Sequence, residues 1–181
     1  MRVFLIGLPG VGKTTIGPTL APALALPASD LDELLTKRYG LAPAEQLKQV
    51  GNHRFRWREA AELRRWISKT PNGLLACGGG TPVCLGGIDL MKACGVVVWL
   101  DLEVQTWLQR VSAISDRPML QGLDGKFDIQ KALELRQSRQ GVYSQAHIRL
   151  LAPLEGVRPQ WVQQSAQEVK RAADEVKDQA D

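Results

Sequence analysis

The stretch Gly7-Leu8-Pro9-Gly10-Val11-Gly12-Lys13-Thr14 decides the fold. It satisfies GxxxxGK[ST] and has the context that pattern demands, an apolar run over residues 2–6 before it and spaced apolar residues from Lys13 to Leu26 after it. The glycines let the backbone close around an anion with successive amide N–H groups pointing inward, and the following helix turns its positive end to the same place. Lys13 supplies a mobile positive charge for the β- and γ-phosphates of a nucleotide, and the Thr14 hydroxyl supplies a ligand for magnesium. A bare strand-to-helix turn has no use for Lys followed by Thr at that offset. The loop alone says only that a nucleotide is bound, because motors, switches and kinases all use it.

Outward from the loop, short apolar runs recur at Leu74–Cys77, Val96–Leu100 and Ile148–Leu151, separated by helical spacing over 31–39, 53–68, 103–111, 128–145 and 160–178. Strands alternating with longer helices predict an α/β fold, a central parallel sheet flanked by helices on both faces. Pro18 and Pro22 are expected to interrupt the first helix. At 181 residues, with no repeat or linker, the chain reads as one domain over 1–181. The polar, glycine-containing Ser112–Lys126 reads as a mobile lid.

Hydrophobic content of 44% with 23% charged residues suits a soluble protein, and no apolar run approaches the ~18 residues of a membrane span. The apolar start Met1–Ile6 is too short for a signal-peptide core, so a cytoplasmic protein is expected, or a plastid one if a transit peptide has been removed. Cys77, Cys84 and Cys94 have neither CxxC spacing nor a histidine pair nearby, which argues against a disulfide framework and against zinc. The net charge of +4 is spread along the chain without a basic tract, which argues against a nucleic-acid partner and suits phosphorylated small molecules.

Four polar groups carry chemistry beyond the loop. Asp30 and Asp32 precede a helix at the carboxyl edge of the sheet, where one carboxylate can hold magnesium through water and the other can accept a proton, or where both simply favour the helix start. Arg56 and Glu59 share a helix face, an arginine held by a carboxylate for a bidentate grip on an anion, or else an ordinary surface pair. Gly78, Gly79 and Gly80 follow an apolar run directly and allow close backbone approach to a ligand. Arg117, in the polar segment, and Arg139, four residues before Tyr143, add two distant positive charges.

Motifs in this order and approximate spacing, from Val3 to Pro159, resemble shikimate kinases, P-loop kinases that transfer the γ-phosphoryl of ATP to the 3-hydroxyl of shikimate on the route to aromatic amino acids. The resemblance implies that Gly10, Val11, Gly12, Lys13, Thr14 and Thr15 cradle ATP, that Thr14 ligates Mg2+ with Asp30 nearby, and that Arg110 and Pro159 flank the adenine. It implies Asp32 as shikimate ligand and general base, Arg56 and Arg139 as the grip on the shikimate carboxylate, and Glu59 as the group orienting Arg56. It further implies Gly78, Gly79 and Gly80 as the pocket lining and Arg117 as the lid arginine reaching the transferred phosphate. The family's arginine lies four residues before its tyrosine, which selects Arg139 over Arg136. Asn52, Thr36 and Gly141 depart from the usual acidic residue, glutamate and proline. A monomer acting on a small molecule is expected. The alternatives are another small-metabolite kinase, such as a gluconate kinase, and a non-catalytic nucleotide-binding paralogue.

Overall fold

Residues Val3–Ile6 have no solvent exposure, and their strand forms the middle of the sheet. The computed structural model describes residues 1–113, 120–122, 126–154 and 156–178. Five strands, β1 (Arg2–Ile6), β2 (Ala28–Asp30), β3 (Gly73–Ala76), β4 (Val96–Asp101) and β5 (Ile148–Leu151), pair in parallel in the order β2-β3-β1-β4-β5. Seven helices connect and follow them among the described residues: α1 (Lys13–Ala23), α2 (Leu31–Tyr39), α3 (Pro43–Lys69), α4 (Gly87–Cys94), α5 (Val104–Ser112), α6 (Ile129–Tyr143) and α7 (Pro159–Asp178).

The register settles which helices cover which face. Phe4 is the partner of Val97, and Trp99 lies two residues beyond Val97, so Phe4 and Trp99 share a face. Phe4 meets Trp66 of α3 edge-on at 5.7 Å between ring centres, and Trp99 meets Tyr143 of α6 at 6.0 Å, which puts α3 and α6 on that face. Gly17 of α1 lies against Leu74 and Ala76, whose partner residues alternate with Phe4, so α1 covers the opposite face together with α7. The sheet is therefore the buried, double-covered kind, and its strands are continuously apolar for that reason.

Pro18 and Pro22 both lie inside α1 and do not interrupt it. Ile16, Gly17, Leu20 and Ala21 form a buried face against the sheet, and that packing outweighs the propensity of two prolines. Helix α3 begins ten residues earlier than the spacing over 53–68 suggests, because two helices meet at Gly51 (φ 75°, ψ 165°). The three-residue β2 and the helix α4 have no counterpart in the apolar pattern. At the amino edge of the sheet, Arg2 donates to the carbonyls of Thr70 at 2.7 Å, Ile67 at 3.2 Å and Cys94 at 3.3 Å, closing the carboxyl ends of α3 and α4.

All strands being parallel, the loop after β1, Asp30, the three glycines after β3 and Asp101 gather at one carboxyl edge. Much of the expected lid, with Arg117, lies outside the described residues. The described base of that segment is an antiparallel bridge between Gln121 and Phe127, with Asp128 N donating to Leu120 O at 2.8 Å, and Leu120 is buried in the core. No described helix is long and apolar enough to cross a membrane.

Candidate active site

Gly7 ends β1 at φ +150°, and a Cβ there would stand 2.3 Å from the Leu100 carbonyl oxygen, so only glycine lets the chain turn between β1 and β4. Gly12, at φ +100°, is the N-cap of α1 and offers no side-chain cap, which leaves the first amides of the helix directed at the cleft. Lys13 Nζ donates to the carbonyls of Gly7 at 2.9 Å and Leu8 at 3.0 Å, which curls the ammonium over the loop. Val11 faces the other way. Its side chain is fully buried in the core, so any part it plays toward a nucleotide falls to its backbone. The Trp107 indole N–H donates to Pro9 O at 2.8 Å and fixes the loop from the α5 side.

A cavity of about 290 Å3 opens over this loop, lined by Gly10, Gly12, Lys13, Thr14 and Thr15, by Asp30 and Asp32, and by Gly78 and Gly79. Thr14 Oγ1 donates to Asp30 Oδ2 at 2.9 Å, and Asp30 Oδ1 accepts from Asp32 N at 2.8 Å. Asp30 thus caps α2 and faces the loop at once. Cys77 stands in the same wall, and burial pushes its thiol far above the usual range, which keeps it protonated and inert.

The three glycines bring the rest together. A Cβ on Gly78 would meet Glu59 Oε1 at 2.5 Å and Asp32 Oδ1 at 3.4 Å; on Gly79, Arg139 Nη1 at 2.8 Å; on Gly80, Arg56 Nη1 at 2.3 Å. One short segment therefore touches Asp32, Glu59, Arg56 and Arg139, carried by α2, α3 and α6. Arg56 and the buried Glu59 form an ion pair, Glu59 Oε1 accepts from Thr81 Oγ1 at 2.9 Å, and Asn52 Oδ1 accepts from Arg56 Nε at 3.2 Å. Arg139 is 5% exposed, and its Nη1 has no hydrogen-bond partner among the described residues. Tyr143 O–H donates to Gly79 O at 2.6 Å, and burial pushes this phenol up to about 12 against the pull of Arg139. Arg136 instead pairs with Asp101 at 3.2 Å, which separates it from the pocket.

Thr81 and Asn52 hold Glu59 and Arg56 in place, a part that the sequence motifs do not assign to them. Asn52 lies one helical turn before Arg56, an i, i+4 signal available in the sequence; Thr81 has none, because its partner Glu59 is distant along the chain. Thr36 bonds back to Asp32 O at 2.8 Å, and a Cβ at Gly141 would meet nothing within 4 Å, so neither departure disturbs the pocket. Arg110 donates to Pro153 O at 2.9 Å and Leu154 O at 3.1 Å, at the rim of a second cleft of about 360 Å3 that includes Arg158 and Trp161, beside Pro159.

A family model described as shikimate kinase matches residues 9–172. A shikimate kinase from Sulfurihydrogenibium sp. (strain YO3AOP1) is 34% identical over 152 residues, 83% of this chain and 87% of the relative. Among solved structures, the shikimate kinase from Bacteroides thetaiotaomicron has a TM-score of 0.81 at 27% identity, covering 94% of this chain and 97% of that one. The Acinetobacter baumannii enzyme, solved in complex with shikimate, gives 0.77 at 28% identity, over 94% of this chain and 90% of that one. A gluconokinase from Sinorhizobium meliloti 1021 shares the fold alone, with a TM-score of 0.61 at 15% identity over 99% of this chain and 97% of that one. The shared fold and a match over most of its length lead to one conclusion: the chain belongs to the shikimate kinase family.

Proposed function

We propose that Arg139 and Arg56 hold the carboxylate of shikimate over Gly79 and Gly80, while Asp32 orients the 3-hydroxyl and takes its proton as the oxygen attacks the γ-phosphorus of ATP. The reaction, ATP-dependent phosphorylation of shikimate, is that of the family to which the chain belongs. The loop amides and Lys13 hold the β- and γ-phosphates, and Arg117 adds its charge to the transferred group. Thr14 Oγ1 and the Asp30 carboxylate, 2.9 Å apart, are the hard oxygen donors magnesium prefers, and no described cluster of three or more His, Cys, Asp or Glu competes with them. Thr14, and Asp30 through water, would hold the ion, which when bound offsets phosphate charge. In the same reading the chain is a cytoplasmic monomer of one domain whose lid closes over both ligands, with no nucleic-acid or membrane partner.

The observation that carries this reading is the buried Arg139 guanidinium with Nη1 unpartnered beside Gly79, since a buried cation with spare donors is costly unless an anion completes it. Arg139→Ala should raise the shikimate KM by about 10- to 100-fold, the scale of one or two charge-assisted hydrogen bonds, and change the ATP KM little. Steady-state kinetics with each substrate varied checks it; an unchanged shikimate KM removes Arg139 from the pocket.

A further inference from the structure

The helix that carries Arg139 has a thin apolar face, with Leu135 and Val142 only partly buried against the core. Of the residues Ile129–Tyr143, only Ala132, Arg139 and Tyr143 are buried. Two polar anchors add to these contacts, one turn to either side of Arg139. On the carboxyl side, Tyr143 donates to Gly79 O at 2.6 Å. On the amino side, Arg136 Nη1 lies 3.2 Å from Oδ1 of Asp101, a fully buried carboxylate at the end of β4. Residues 136, 139 and 143 fall on one stripe of the helix, so the anchors and the arginine between them turn together.

The amino-side anchor also reaches the nucleotide loop. The Arg136 guanidinium sits over the Trp107 ring at 5.9 Å from its centre, and the same indole donates to Pro9 O. Pro9 in turn lies 3.0 Å from where a Gly79 Cβ would stand. The contacts close a ring from loop to Gly79 to Tyr143 to Arg136 to Trp107 and back to the loop.

We propose that Asp101, acting through Arg136, is the positioning residue that aims Arg139 into the acceptor pocket. The inference rests on the reading of Arg139 given above. Asp101 is suited to the task because it is rigid on a central strand and doubly paired, Arg149 also donating to its Oδ2 at 2.6 Å. Arg149 is half exposed, so it holds the carboxylate from the solvent side while Arg136 transmits its position inward.

This double pairing decides which variant tests the idea. Asp101→Asn strands a mostly buried cation at Arg136 and risks the fold, whereas Arg136→Met leaves Asp101 paired with Arg149. Arg136→Met should raise the shikimate KM about tenfold with kcat and the ATP KM within about twofold, and Arg136→Lys should recover part of the loss. The deciding arm is the double variant: if Arg136 acts through Arg139, adding Arg136→Met to Arg139→Ala changes kcat/KM for shikimate no further. Equal losses in both backgrounds, or an unchanged KM in Arg136→Met while Arg139→Ala is impaired, overturn the positioning role and leave the pocket intact. An unimpaired Arg139→Ala instead overturns the pocket reading, and the positioning role with it.

Discussion

Gly80 and Gly87 both lack room for a methyl group, but the neighbour that would have to yield differs in kind. A Cβ at Gly80 would press on the end of the Arg56 side chain, 2.3 Å from Nη1, whereas one at Gly87 would press on backbone, 2.0 Å from Thr81 O. A long side chain can swing; a backbone carbonyl cannot without moving its segment. Gly80→Ala should therefore keep the melting temperature close to that of the parent while raising the shikimate KM about tenfold, equivalent to about 1.4 kcal/mol. Parallel thermal melts and kinetics check this, and a lost melting temperature with an unchanged KM contradicts it. The need for small residues at 78–80 was legible from the run of glycines after an apolar strand. Which side chains crowd them was not, because Arg56 and Arg139 come from helices far away in sequence, and nothing local encodes where a helix will dock. The loop around Lys13 was legible for the opposite reason, since strand, loop and helix are contiguous and Lys13 bonds to carbonyls of its own loop, whereas the bond from Thr14 to Asp30 crosses to β2.

Helix α3 makes its turn at Gly51 and only then points Asn52, Arg56 and Glu59 toward the pocket. Its dihedral angles belong to a region that residues with a Cβ almost never occupy, yet a Cβ there would meet nothing within 4 Å. Gly51→Ala thus isolates backbone strain from steric clash, and it should cost about 1–3 kcal/mol in urea unfolding. An unaltered midpoint and slope shows that the two halves of α3 can meet in another geometry. Periodicity located the second half, over 53–68, because Phe55, Leu63 and Trp66 mark a buried stripe there. The first half escaped because it buries only Gln46, whose amide donates to Leu41 O at 2.8 Å and whose Oε1 accepts from Arg58 at 3.1 Å. Leu47 and Val50 pack against the core only in part, too little apolar surface for a helical period to show. The prolines of α1 misled in the other direction, since a local breaker signal carries no information about the sheet that overrides it.

The whole molecule inherits a pH dependence from the join between β4 and the segment entering β5. His147 N donates to Val97 O at 3.0 Å, and His147 Nδ1 accepts from Val97 N at 2.9 Å. That second bond needs the neutral ring, and burial, then Lys92, holds the imidazole below its ordinary 6.5. The unfolded chain consequently binds a proton more readily than the folded one, so this contribution is complete above pH 6.5 and declines as the pH falls below it. His147→Asn, which keeps an acceptor but cannot titrate, should flatten the fall in melting temperature on that acid side; an identical slope in the variant assigns the acid sensitivity to other groups. The parallel sheet and its helical covers were legible in the alternation of apolar runs, whereas the strand order was not, because it depends on crossovers that periodicity does not record. One feature of the assembled molecule reaches into how the protein can be watched. Trp107 is fully buried, with its N–H on a nucleotide-loop carbonyl and a guanidinium over its ring. An indole so placed is a built-in optical probe, and a variant retaining it as the sole tryptophan would report nucleotide arrival as a shift in emission, without any dye attached.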